Sequence, residues 1–91
     1  MTDRVARHYR IVGRVQGVFY RGSARTEAQR LGLDGWVRNL TDGSVQAYAC
    51  GNTSALDEFE QWLEVGPRYA EVVGVEVSEA LVEALSGFEV R

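Results

Sequence analysis

The chain has no lysine, one cysteine, one histidine and one proline, and each shortage removes a class of chemistry. Without lysine there is no Schiff-base amine and no P-loop lysine to meet a nucleotide phosphate. All ten basic residues are arginines, which stay charged and grip a carboxylate or phosphate through parallel N–H donors. That bias is read as codon preference rather than as function. Cys50 and His8, single examples of their kind, are too few for an internal disulfide or a Cys/His zinc site, and a reducing, cytoplasmic setting fits. No apolar run approaches membrane-spanning length, and Met1-Thr2-Asp3-Arg4-Val5 holds no apolar leader core, so a soluble, unprocessed protein is expected. Positive charge is in deficit as well, with a net charge of −3. Such a surface does not advertise binding to nucleic acid or anionic lipid, so any anion site must concentrate its charge locally.

What is present is one domain over residues 1–91 with a modest core. Arg7 to Val12 alternate as a strand, with Tyr9, Ile11 and Gly13 on one face and His8, Arg10 and Val12 on the other, as suits a sheet covered on one side. From about Gly22 to Leu33, Ala24, Ala28 and Leu31 recur at helical spacing, with Ser23 or Gly22 placed to cap the start and Gly32 to end it. Gly35 to Leu40 and Ser44 to Cys50 read as strands joined through Asp42-Gly43, a hairpin signal. A second helix carries Leu56, Phe59 and Leu63; Ser54 with Asp57 resembles a capping box, and Gly66-Pro67 ends the helix. Glu71 to Ser78 is a strand in which Val73, Val75 and Val77 alternate and Val72 marks a bulge. Ser78 to Ser86 has no clear pattern, and Phe88 to Arg91 forms a short last strand. The order is the α+β, ferredoxin-like split βαβ sandwich: βαββαβ, an antiparallel sheet with two helices on one face, and a short extra strand. In that plan the first two strands run parallel, and their ends share one sheet edge, roughly 10 Å apart.

One of those ends feeds Gly13-Arg14-Val15-Gln16-Gly17-Val18-Phe19-Tyr20-Arg21. A glycine-bearing loop entering a helix offers free N–H groups at the positive pole of the dipole, with Arg21 as the charged member of a phosphate cradle. The plainer reading is a strand-to-helix connection that needs glycine and a solvated Arg21. The spacing matches neither a Walker loop nor a dinucleotide fingerprint.

This loop, together with Gly35-Trp36-Val37-Arg38-Asn39-Leu40, Asp42-Gly43-Ser44-Val45 and Gly66-Pro67, closely resembles the acylphosphatase family over nearly the whole chain. The resemblance implies that the backbone amides of Gln16, Gly17, Val18, Phe19 and Tyr20 hold the substrate phosphate, that Arg21 binds its oxygens, and that Asn39 orients the attacking water. Tyr20 stands where phenylalanine is common in the family, and Leu40 where some members carry a hydroxyl residue. The activity implied is hydrolysis of acyl phosphates to carboxylate and inorganic phosphate, the latter both product and inhibitor, by a cytoplasmic monomer with no cofactor, metal, nucleic-acid partner or membrane. The residues agree with this chemistry: with no clustered carboxylates to hold Mg²⁺ and no evident general acid, the substrate must bring its own good leaving group. Two other readings compete. One is a module of this fold that binds an acyl or carbamoyl phosphate without turning it over. The other is an RRM-like RNA-binding domain, which expects basic and aromatic residues on its first and third strands, where the third strand here offers only Tyr48.

Overall fold

Alternation along the strands decides which side of this sheet is buried under helices. A computed structural model of the chain describes residues 4–91; Met1 to Asp3, part of the segment read as lacking a leader, lie outside the described residues. The elements are β1 (Val5–Arg14), α1 (Tyr20–Arg30), β2 (Asp34–Asn39), β3 (Val45–Gly51), α2 (Thr53–Val65), β4 (Glu71–Ala80) and β5 (Phe88–Val90). The sheet order is β4-β1-β3-β2-β5. Because β3 is antiparallel to both β1 and β2, those two strands run the same way and end at one edge, as expected. The short last strand departs from the antiparallel plan: β5 pairs parallel to β2, which makes the sheet mixed.

Tyr9 and Ile11 of β1, Val37 of β2, and Val45, Ala47 and Ala49 of β3 point into the helix-covered face. There they meet Ala24 and Ala28 of α1 and Leu56, Phe59 and Leu63 of α2. Alanines on α1 let that helix lie close to the sheet, while α2 contributes the larger side chains. The other face gathers Ala6, Trp36, Tyr48 and Cys50, and His8 sets its ring edge-on to Tyr48 at 5.3 Å. That face is not simply open, which corrects the reading of a sheet covered on one side. The segment without a sequence pattern, after β4 ends at Ala80, supplies the cover: the Tyr48 hydroxyl donates to the Leu81 carbonyl (2.8 Å) and accepts from the Glu83 N–H (2.8 Å), and Leu85 packs alongside. Carbonyl and amide contacts of this kind leave no hydropathy signature.

Three local expectations shift. In β4 the bulge is real, but the residue left over is Val73, because Val12 pairs with Gly74 and Gly13 with Val72. The extra residue changes the phase, so Val72 and Val75 pack on the core while Val73 is 82% exposed. Opposite the bulge, a Cβ on Gly13 would sit 2.1 Å from the Glu71 carbonyl oxygen, so that glycine serves strand packing. Helix α2 begins at Thr53, one residue before the expected cap. Asn52 is therefore the N-cap, its side chain accepting from the Ala55 N–H at 2.8 Å, and Asp57 instead pairs with Arg7 at 2.9 Å. Helix α1 begins at Tyr20, ahead of both expected caps, and Arg21 lies in its first turn instead of on a loop.

Candidate active site

Five residues, Val15 to Phe19, connect β1 to α1, and their backbone geometry is unusual for so short a link. Gly17 has φ 76° with open space where a Cβ would be, and Phe19, the residue before the helix, has φ 62°. A left-handed phenylalanine is strained by roughly 1–2 kcal/mol, a cost found mostly where function constrains the chain. The connection also carries a run of amides without acceptors. Among the described residues, no backbone or side-chain acceptor of the protein meets the N–H of any residue from Gln16 to Gly22; the first amide to find one is Ser23, bonded to the Phe19 carbonyl at 3.2 Å. Helix α1 has no side-chain cap and no acidic residue in its first turn, so its positive end stays uncompensated. Free N–H groups at an uncapped helix start suit an anion.

The cleft beside this loop, about 360 Å³ in volume, is lined by Gly17, Phe19, Arg21, Gly22, Arg25 and Asn39 among others. It brings Arg21 and Asn39 together, although they are distant in sequence and sit on different elements. Arg21 reaches it from the first turn of α1 and donates to the main-chain oxygen of Arg91 at 2.9 Å. Asn39 is the last residue of β2, paired with Val45 across the hairpin, and its side chain is exposed. Val90 of β5 also lines the cleft.

The side chains of the loop do different work from its backbone. Gln16 donates from its amide nitrogen to the carbonyls of Leu40 (2.8 Å) and Ser44 (2.9 Å), which clamps the loop to the hairpin that carries Asn39. Val18 packs on the core. The Tyr20 ring is buried and its hydroxyl donates to the Leu63 carbonyl at 2.6 Å; burial pushes that phenol well above its ordinary pKa, so the group stays neutral. The extra hydroxyl that departs from the family pattern is thereby satisfied in the interior. The hairpin is held by contacts of its own. Asp42 accepts from the Ser44 hydroxyl and N–H and from Arg10, and these contacts hold its carboxyl well below the usual range.

Sequence reasoning missed two contributors. Arg25 lies four residues after Arg21, on the same helix face, and that spacing was the available signal. The Gln16 clamp had none, because its acceptors are main-chain carbonyls more than twenty residues away. Arg38 does not line the cleft: it donates to the Gln46 side chain at 2.8 Å and stacks over Trp36 on the opposite sheet face. Among the described residues, no three His, Cys, Asp or Glu side chains gather as a metal site, and no helix is long and apolar enough to cross a membrane.

A family model described as acylphosphatase matches residues 7–90. The chain belongs to the acylphosphatase family. It is 50% identical over 88 residues to an acylphosphatase of Pseudomonas paraeruginosa, covering 97% of each chain. It is 54% identical over 84 residues to one from Azoarcus sp., covering 92% of this chain and 86% of the other. The solved structure of an acylphosphatase from Coxiella burnetii superposes with a TM-score of 0.95 at 42% identity, over 98% of this chain and 94% of that one. Membership makes the protein an enzyme of the class that hydrolyses acid anhydrides, and the ferredoxin-like architecture read from the element order holds.

Proposed function

We infer that the protein hydrolyses the carboxyl–phosphate bond of acyl phosphates, with the phosphoryl group seated on the amides from Gln16 to Tyr20 and on Arg21, and the attacking water held by Asn39. The observation that carries this reading is the run of unpartnered N–H groups from Gln16 to Gly22, five of whose residues line the same cleft as Asn39. Phosphoryl transfer asks a protein mainly for alignment and for stabilisation of charge on the equatorial oxygens. The amides and Arg21 supply the charge stabilisation, and Asn39 the alignment. The water oxygen bonds to phosphorus as the bond from phosphorus to the acyl oxygen breaks. That oxygen keeps the electron pair and leaves as a carboxylate, while the water proton passes to a phosphoryl oxygen and then to solvent. No protein base is required. Inorganic phosphate, the second product, occupies the same cradle and inhibits. The reading includes a monomer acting in the cytoplasm on a small molecule. It does not include RNA, since Tyr48, the aromatic of β3, is fully buried and has no face free for a base.

Leaving-group dependence is the test. Acetyl or benzoyl phosphate should be hydrolysed rapidly, with EDTA having no effect. Alkyl phosphate monoesters should be nearly inert, because their alkoxides need an acid or a metal at the bridging oxygen and the cleft offers neither. Comparable rates on both classes, or activity lost in EDTA, would overturn the mechanism. Bound acyl phosphate that is never released as products in a single-turnover assay would mark the non-catalytic binding module.

A further inference from the structure

The arginines divide into two groups. Arg4, Arg7, Arg10, Arg30 and Arg91 each hydrogen-bond a carboxylate. Arg14 meets Glu71 only at 3.9 Å, with both side chains more than 70% exposed, and Arg21 bonds a main-chain oxygen. Arg25, Arg38 and Arg68 have no described carboxylate within 4.0 Å. Setting aside Arg21, whose acceptor is the main-chain oxygen of the last residue, four arginines have no close carboxylate among the described residues, and three of them line the two clefts that flank the Val15–Phe19 connection: Arg25 in one, Arg14 and Arg68 in the other. Arg38 alone lies elsewhere. In a chain of net charge −3, uncompensated positive charge gathered at one loop calls for an explanation beyond a single phosphate.

The second cleft, about 590 Å³, shares Gly17 and Phe19 with the first and is walled by Arg14, Arg68, Tyr69 and Glu71. Phe19 and Tyr69 are 77% and 69% exposed, and the Arg68 guanidinium lies 5.6 Å from the Tyr69 ring centroid. Its position follows from the strand order β4-β1-β3-β2. Seen from the end of β1, Asn39 lies toward β2 and this cleft lies toward β4. In-line displacement puts the attacking water and the departing oxygen on opposite sides of phosphorus. A water held on the Asn39 side therefore directs the acyl group toward β4.

We propose that the cleft between Arg14 and Arg68 receives the acyl portion of the substrate, and that the preferred acyl group is unsaturated or aromatic and carries a second negative charge. Phe19 and Tyr69 flank its carbon skeleton, while Arg14 and Arg68 take the distal anion. Glu71, in the same wall, is the one group that works against an anion there, and its contact with Arg14 is only 3.9 Å. This assignment rests on the acyl-phosphate reading above.

Benzoyl phosphate and 4-carboxybenzoyl phosphate share a ring and nearly equal intrinsic reactivity and differ by one remote charge, so they isolate the distal contact. The wild-type protein should show a KM about five- to tenfold lower for the carboxylated substrate, as two exposed ion pairs can supply, with similar kcat. The advantage should shrink in 0.5 M salt. In the Arg14→Gln/Arg68→Gln double variant the ratio of the two KM values should fall to about one, while Arg14→Lys/Arg68→Lys should keep part of it. Equal KM values for the two substrates in the wild type, or a ratio unmoved in the glutamine double variant, would overturn the subsite while leaving the hydrolase reading intact. If benzoyl phosphate is not hydrolysed at all, it is the hydrolase reading that fails.

Discussion

The two helices of this protein begin in opposite ways. At the start of α2, Asn52 has extended backbone geometry, its side chain accepts from Ala55 N–H, and the Ser54 hydroxyl donates to the same Asn52 oxygen at 3.0 Å. The terminus is satisfied from within. At the start of α1, Phe19 is left-handed, offers no side-chain acceptor, and sits amid seven consecutive amides that meet no acceptor among the described residues. One end is built for stability and the other is kept open. A cap costs nothing to encode, so its omission from α1, combined with a strained non-glycine residue, fits the proposed cradle, in which an incoming anion takes the place of the missing acceptor.

Removing the charged member of the open end should give the largest effect. Arg21→Ala is expected to lower turnover about 10³-fold and to weaken inhibition by inorganic phosphate, with unchanged circular dichroism, because Arg21 sits partly exposed in the first turn of α1. Arg21→Lys should restore little, since a point charge does not reproduce a two-donor fork. Full activity in Arg21→Ala would mean that the amides alone suffice and that the contrast between the two helix ends has been drawn around the wrong group. Asn39→Ala comes next, with turnover reduced about 10²-fold and phosphate inhibition little changed. A parallel loss of phosphate affinity would make Asn39 a ligand of the anion and not the holder of the water.

The contrast between the helix ends was only half visible beforehand. The pairing of the β1 and β2 ends could be worked out from element order, because two parallel strands separated by a third must finish at one edge. That inference brought Arg21 and Asn39 together across the sheet. Which glycine serves the connection could not be worked out: Gly13 answers a backbone clash with Glu71 in another strand, while Gly17, with φ 76°, shares the turn into α1 with the left-handed Phe19. The clamp from Gln16, the cover over Tyr48 and the gathering of Arg14 and Arg68 all depend on main-chain groups or on residues distant in sequence. Periodicity carries no record of such contacts. Cap positions failed for a different reason, since a one- or two-residue error in a helix start reassigns the cap to another side chain.

The smallest expected effect tests whether the closed end is as independent of the site as the comparison implies. Asn52→Ala removes the acceptor for Ala55 N–H and leaves that amide to partial solvent, which should destabilise the fold by about 1 kcal/mol. Ser54 also loses its acceptor, but its exposed hydroxyl can turn to water. Aspartate at position 52 should behave unlike alanine, because a carboxylate retains the acceptor and favours the positive end of the dipole. Helix α2 packs on the helix-covered face through Leu56, Phe59 and Leu63, and its N-terminal cap lies outside the cleft lining. A lower melting temperature in Asn52→Ala, together with wild-type KM, turnover and phosphate inhibition at 25 °C, is therefore the expected result. If turnover fell with stability still ample at that temperature, strain would be passing from α2 to the cradle, with the Tyr20 hydroxyl bonded to Leu63 as the first contact to examine.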